Sequence, residues 1–181
     1  MTRYWNDKAS TDAAFTSDGW LRTGDVGMFT PSGALLLKGR LKDMIKSGGE
    51  NIYPTEIEAV LMQHPDVHDV VVIGIPDSRL GEALCAVIVL APQVSWQTHP
   101  SIRSFFTGPL PAAPKRALSP LDLRTHCLDS GLSGFKLPRM FAAQCAPLPR
   151  SSTGKILRRD VQRHIIVEVR GGRGVSPLSK L

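Results

Sequence analysis

Pro54-Thr55-Glu56-Ile57-Glu58-Ala59-Val60-Leu61-Met62-Gln63, then Val67-His68-Asp69-Val70-Val71-Val72-Ile73-Gly74-Ile75-Pro76, then Glu82-Ala83-Leu84-Cys85-Ala86-Val87-Ile88-Val89-Leu90, is the stretch that decides the fold. The first run places Ile57, Val60 and Leu61 at helical spacing, so one face of a helix points to a core. Pro54 suits the first turn, where its missing N–H costs nothing, and Glu56 and Glu58 suit the positive end of the helix. His64-Pro65 ends it, because the residue before a proline is pushed out of the helical region. The two later runs are β-branched and almost continuously apolar, the pattern of buried strands. Pro76-Asp77-Ser78 turns the chain between them.

Outward from this unit, Ser119-Pro120 caps a second helix running to about Ser130, with Leu121, Leu123, Cys127 and Leu128 as its apolar face. Gly131 to Pro138 reads as loop, Met140 to Cys145 as a third strand, Pro147 to Gly154 as loop, and Lys155 to about Val169 as a helix with a basic outer face. Helices and strands in this order predict an α+β domain, a sheet of about three strands carrying two or three helices. Between Leu90 and Ser119, the stretch Ala91 to Leu118 holds five prolines (Pro92, Pro100, Pro109, Pro111 and Pro114) and no sustained period. It reads as a disordered insertion. At the other end, Gly19 to Gly27 reads as a short strand entering a turn, and Ala34 to Lys38 as another strand after Pro31-Ser32-Gly33. Two short strands cannot bury a core of their own, so residues 1–38 read as the end of something larger.

The 181 residues are 42% apolar, which suits a globular domain with a modest core. The formal charge of +6 is spread along the chain rather than striped between aromatics, which argues against a nucleic-acid binder and leaves a small anionic partner open. Cys85, Cys127 and Cys145 are odd in number and far apart, so each is expected as a buried free thiol in a reducing compartment. No apolar run is long enough to cross a bilayer, and no secretory leader is expected. Ser179-Lys180-Leu181 is a peroxisomal-type address when it stands at a free C-terminus, and the Gly- and Arg-rich stretch before it is expected to be flexible.

Four blocks carry chemistry. Thr23-Gly24-Asp25 puts a carboxylate on a tight turn, where it either caps its own turn or accepts hydrogen bonds from a vicinal diol such as a ribose. Arg40-Leu41-Lys42-Asp43 concentrates charge directly after a strand and reads either as a solvated linker or as part of a site. Lys46-Ser47-Gly48-Gly49-Glu50-Asn51 is a Gly-Gly loop that lets backbone approach a ligand, but it has neither the Walker order nor a dinucleotide fingerprint. Ser152-Thr153-Gly154-Lys155 presents a lysine just past a turn, suited to a mobile loop aimed at an anion. A lysine at a helix start is mildly disfavoured by the dipole, a hint that it is kept for an anion.

Taken in order, Gly19 to Gly27, Gly39 to Glu58 and Pro147 to Arg159 resemble the C-terminal part of AMP-forming acyl-CoA synthetases, in the adenylate-forming superfamily. The resemblance implies a small, mobile C-terminal lid domain and two half-reactions: a carboxylate attacks ATP to give acyl-adenylate and pyrophosphate, and coenzyme A then displaces AMP. By resemblance, Asp25 and Arg40 hold the ribose, and Lys42 is the hinge. Lys46 and Asn51 lie near the phosphate and the thiol-step site, Gly48 and Gly49 line the pantetheine channel, and Lys155 is the catalytic lysine of adenylation. It further implies residues 1–39 as the remnant of the large AMP-binding domain, 40–46 as hinge and 47–169 as the mobile domain with 91–118 inserted, followed by a tail over 170–181.

The phosphate loop, the acyl pocket and the main magnesium site belong to the large domain, and none of them is recognised in these residues. The chain is therefore expected to be a truncated ligase, inactive by itself. Its expected partners are ATP or AMP, coenzyme A, a small carboxylate and the peroxisomal import receptor, with residence in the peroxisome or otherwise the cytoplasm. The form Ser-Gly-Gly-Glu-Asn-Ile-Tyr-Pro resembles 2-succinylbenzoate-CoA ligases and several medium-chain and aromatic acid ligases, and differs from the Lys-Gly-Phe-Gln form of 4-coumarate ligases. The competing expectation is a non-catalytic lid or binding module that works with a partner.

Overall fold

The structure is a computed structural model that describes residues 1–109, 111 and 113–171. The chain divides into two compact units, Met1–Lys42 and Asp43–Leu181. The expected tail signal Ser179-Lys180-Leu181 lies outside the described residues.

The first unit holds α1 (Lys8–Ala14), β1 (Asp25–Phe29) and β2 (Leu35–Arg40). Helix α1 escaped the sequence reading because it is short and carries no apolar stripe. Its start is set locally by Asp7, whose side chain accepts from the Ser10 N–H at 2.8 Å. Strands β1 and β2 pair antiparallel from Asp25 opposite Arg40 to Phe29 opposite Leu35, with a register shift between Val26 and Gly27. No residue of this unit is buried, and Trp5, Trp20, Phe29, Leu35 and Leu37 are all exposed. A two-stranded ribbon has no second layer against which to bury them.

The second unit holds β3 (Ile45–Ser47), β4 (Glu50–Ile52), α2 (Pro54–Leu61), β5 (Val67–Asp77), β6 (Gly81–Leu90), β7 (Val94–Trp96), β8 (Arg103–Thr107), β9 (Arg116–Leu118), α3 (Pro120–Asp129), β10 (Met140–Gln144) and α4 (Arg158–Gly171). Six strands form one sheet, in the order β4-β3-β6-β10-β8, with β5 also paired to β6. Strands β5 and β6 are a long antiparallel hairpin, and β10 runs parallel to both β6 and β8. A separate parallel pair joins β7 to β9.

The continuous apolar runs of β5 and β6 are explained by burial on both faces. Along β5, Val70 and Val72 enter one core with Ile57 and Leu61 of α2 and Leu123 and Cys127 of α3. Val71, Ile73 and Ile75 enter a second core with Val161 and Ile165 of α4. Successive side chains point to opposite faces, so a strand between two helical layers needs apolar residues at every position. Ser119 and Asp122 close a capping box on α3, the local reason its start was legible.

Three expectations change. The α+β class stands, but the sheet has six strands rather than about three. Part of the increase comes from the Gly-Gly stretch, which forms the β3–β4 hairpin. The stretch 91–118, expected as a disordered insertion, carries β7, β8 and β9 in its described residues, and β8 extends the central sheet. Val94, Trp96, Ile102 and Leu118 are buried there, so burial against the sheet outweighs the prolines, which stand outside the strands. Finally, α4 begins at Arg158, which leaves Lys155 upstream of the helix, directly after the turn at 152–154. The dipole argument for Lys155 therefore does not apply.

The cysteines are all free, but only Cys85 and Cys127 are buried; Cys145 is exposed just past the end of β10. Burial pushes the Cys85 thiol up to about 12 and the Cys127 thiol up to about 11. One thiol is therefore expected to react promptly with an aromatic disulfide reagent at pH 8, and the other two only after denaturation. Three prompt thiols would contradict the packing.

Candidate functional site

In the first unit, the register of β1 and β2 sets Asp25 opposite Arg40. The Arg40 Nε lies 3.1 Å from Asp25 Oδ1, and Arg40 Nη1 donates to the Thr23 carbonyl at 2.7 Å. The Asp25 N–H donates to the Thr23 hydroxyl at 3.1 Å, which shapes the turn before the strand. The pair is about half exposed. The guanidinium contact engages one oxygen of the carboxylate and gives the pair a charge-assisted hydrogen bond. The two expected ribose ligands are thus brought together, although the sequence separates them by fifteen positions.

Lys42 lies exposed in a short 3-10 turn over Leu41–Asp43, where the division between the two units also falls.

In the second unit, Lys46 and Asn51 face each other across β3 and β4, and both are exposed. Gly48 and Gly49 form the two-residue turn between Ser47 and Glu50, with φ of +59° and +87°. Two successive positive φ angles are what a tight hairpin of this length demands, and glycine supplies them at least cost. Gly48 has a further reason: a Cβ there would lie 2.4 Å from the Phe135 ring. The space at Gly48 is therefore filled by this protein's own phenylalanine. Gly49 faces open space, so of the two it is the one a ligand can approach. The hairpin is tied to the sheet where the Glu82 carboxylate accepts from the Lys46 N–H at 2.9 Å and Gly48 N–H donates to the Leu80 carbonyl at 2.9 Å.

Lys155 stands on a hairpin of its own. Arg150 and Ile156 bridge antiparallel. Ser151 N–H donates to the Lys155 carbonyl at 2.8 Å, and the Lys155 N–H donates to the Ser151 hydroxyl at 3.2 Å. Gly154, with φ +80°, takes the left-handed turn position, and its N–H donates to the Ser151 carbonyl at 2.9 Å. Both backbone polar groups of Lys155 are thus hydrogen-bonded to Ser151. The side chain is exposed, and among the described residues it has no ion-pair partner. Of the neighbouring arginines, Arg150 pairs with Asp69 and Arg158 with Glu58, while Arg159 is exposed.

No local feature of the sequence marks the roles of Arg150, Arg158, Glu58, Asp69 or Phe135 beside the candidate residues. Glu58 was read only as a dipole complement of α2. No short-range signal reveals a partner about a hundred residues away.

Residues 56–155, more than half of the chain, match the AMP-binding enzyme C-terminal domain family. The chain belongs to that family. The AMP-binding C-terminal region seen here shares 37% identity over 171 residues with the 2-succinylbenzoate–CoA ligase, chloroplastic/peroxisomal, of Arabidopsis thaliana, covering 92% of this chain and 29% of the relative. A long-chain-fatty-acid–CoA ligase of Mycobacterium tuberculosis is 38% identical over 158 residues, covering 87% of this chain and 26% of the relative. Among solved structures, the o-succinylbenzoate CoA synthetase of Bacillus subtilis in complex with its acyl-adenylate intermediate matches with a TM-score of 0.70 and 33% identity, over 90% of this chain and 28% of that one. The chain thus spans under a third of the length of these relatives. The resemblance to acyl-CoA synthetases and the α+β class both stand on these matches.

Proposed function

We propose that the chain provides the C-terminal part of an ATP-dependent acid–thiol ligase. In the first step a carboxylate oxygen bonds to the α-phosphorus of ATP, and the bond from that phosphorus to pyrophosphate breaks. In the second, the sulfur of coenzyme A bonds to the acyl carbon, the carbon–oxygen bond to AMP breaks with its electron pair on AMP, and the thiol proton passes to solvent. The observation that carries this reading is Lys155, an exposed ammonium without an ion-pair partner among the described residues, on a hairpin whose backbone is fixed. A compact cation of this kind stabilises charge that builds on the phosphate and the attacking carboxylate.

The oriented Asp25–Arg40 pair serves the ribose, Lys46 and Asn51 the phosphate and thiol-step region, Gly48 and Gly49 the pantetheine arm, and Lys42 the hinge. Support for Gly49 is its open face; Gly48 contributes the turn. Among the described residues no group of three or more His, Cys, Asp or Glu side chains is placed to hold a metal ion. Among the same residues no helix is long and apolar enough to cross a membrane.

The acid favoured by the loop sequence is 2-succinylbenzoate, with fatty and aromatic acids as the other classes, and the relatives' names include 2-succinylbenzoate, long-chain-fatty-acid and 4-chlorobenzoate ligases. Peroxisomal import through Ser179-Lys180-Leu181 is a part of this reading that the sequence alone supports.

The test is a graft. Residues 1–181 replace the matching segment of the Arabidopsis 2-succinylbenzoate–CoA ligase, and acid-dependent pyrophosphate release and thioester formation are followed. The reading expects both half-reactions to be retained. A folded graft that binds ATP but releases no pyrophosphate would overturn it and favour a non-catalytic module.

A further inference from the structure

Two arginines brace the hairpin that carries Lys155, one at each leg. Arg150, on the first leg, donates through Nη1 to the Gly154 carbonyl at 2.8 Å and through Nη2 to the Asp69 carboxylate of β5 at 2.5 Å. It therefore closes the hairpin on itself and ties it to the sheet. Arg158, where α4 begins just after the second leg, donates through Nη1 to Glu58 Oε1 of α2 and to the Val72 carbonyl of β5, both at 2.5 Å. Its Nη2 donates to Glu58 Oε2 at 3.1 Å. Glu58 Oε1 also accepts from the Val72 N–H at 2.7 Å, so α2, β5 and α4 meet on one guanidinium–carboxylate pair. Asp43 adds a longer contact, 3.9 Å from the Arg158 Nε.

The geometry is the strong kind. Arg158 and Glu58 are about four-fifths buried and bidentate, and each also satisfies a backbone group of β5. A lysine at either arginine position would keep the charge but lose the fork, and with it one of the two connections. Within the hairpin, the bonds through Ser151 and from the Leu157 N–H to the Pro149 carbonyl fix its shape, and Leu148 and Ile156 pack on the second core beside the arginine contacts.

We infer that Arg150 and Arg158 are positioning residues that hold the Lys155 hairpin in one place on the second unit. Lys155 then moves only with the whole unit. The bearing on adenylation rests on the role proposed for Lys155; the bracing itself does not.

Amide hydrogen exchange on the full 181-residue chain tests it. The reporters are the hairpin donors Ser151, Gly154, Lys155 and Leu157, and the controls are amides of β6 and β10. In Arg150→Lys and in Arg158→Lys the hairpin amides are expected to exchange roughly tenfold faster while the controls keep their rates. A double variant, Arg150→Asp with Asp69→Arg, is expected to recover most of the protection lost in Arg150→Asp alone. Equal acceleration of hairpin and controls means that the arginines serve overall stability, and it overturns the inference, as does an unchanged hairpin in Arg150→Lys. If Arg158→Lys fails to fold, Arg150→Lys and the charge exchange decide the matter. None of these readouts depends on catalysis, so a graft inactive in adenylation would sink the function and leave the brace standing.

Discussion

Replacing Lys155 by alanine in the grafted ligase is expected to slow pyrophosphate release roughly 100- to 1,000-fold, the usual loss when one preorganised charge-stabilising group is removed. Thioester formation from supplied acyl-adenylate is expected to keep its rate. The asymmetry follows from the chemistry. Negative charge converges on the phosphate oxygens and the carboxylate in the first step, and an ammonium between them lowers that barrier. In the second step the phosphoryl bond to carboxylate is already made and the reacting centre is the acyl carbon. Lys155→Arg is not expected to be silent, because a planar fork is bulkier than a point charge and aims its donors differently. Arg150 and Arg158 offer no substitute, since they are committed to Asp69 and Glu58. Equal losses in both half-reactions would remove Lys155 from the adenylation role.

Phe141→Ala is expected to cost the second unit about 3–5 kcal/mol, which is a large part of the stability of an ordinary domain. Phe141 is fully buried in β10, opposite Ala86 of β6 on one side and Ser104 of β8 on the other. Its ring fills the core shared with α2 and α3, and small neighbours such as Ala86 and Ala143 in that core cannot reach into the space it would leave. The measurement is a shift of the urea midpoint without a change of slope. Phe29→Ala makes the contrast: this ring is 73% exposed in the first unit, and its loss is expected to stay within about 0.5 kcal/mol. A Phe141→Ala cost below about 1 kcal/mol would mean that β10 is not the centre of the core.

The elements that were legible share a cause. Helix α2, the β5–β6 hairpin, α3 and β10 announce themselves through periodicity, caps and turns, all within a few residues of one another. The stretch 91–118 was misread because its prolines dominate the local signal. The burial of Val94, Trp96, Ile102 and Leu118 depends on neighbours far along the chain, and so does the pairing of β8 with β10. The Gly48-Gly49 turn carries its own cue, two glycines between Ile45-Lys46-Ser47 and Glu50-Asn51-Ile52, and a loop open to a ligand has the same local pattern as a hairpin turn. The same glycine does both jobs in a sequence, and only the Phe135 ring shows which constraint acts on Gly48.

The sequence by itself determined the α+β class, the main helices and strands of the second unit, the family, and the choice of Asp25, Arg40, Gly48, Gly49 and Lys155 as candidates. These rest on local spacing and on ordered motifs. Only the tertiary structure decided that β8 joins the central sheet, that Asp25 and Arg40 touch, that Phe135 covers Gly48, and that Lys155 rides a braced hairpin instead of a free loop. The physical reason is sequence separation. The bonds that fix the hairpin run between residues 81 and 100 positions apart. Such partners are chosen by how strands and helices stack, and no pattern within one element records them.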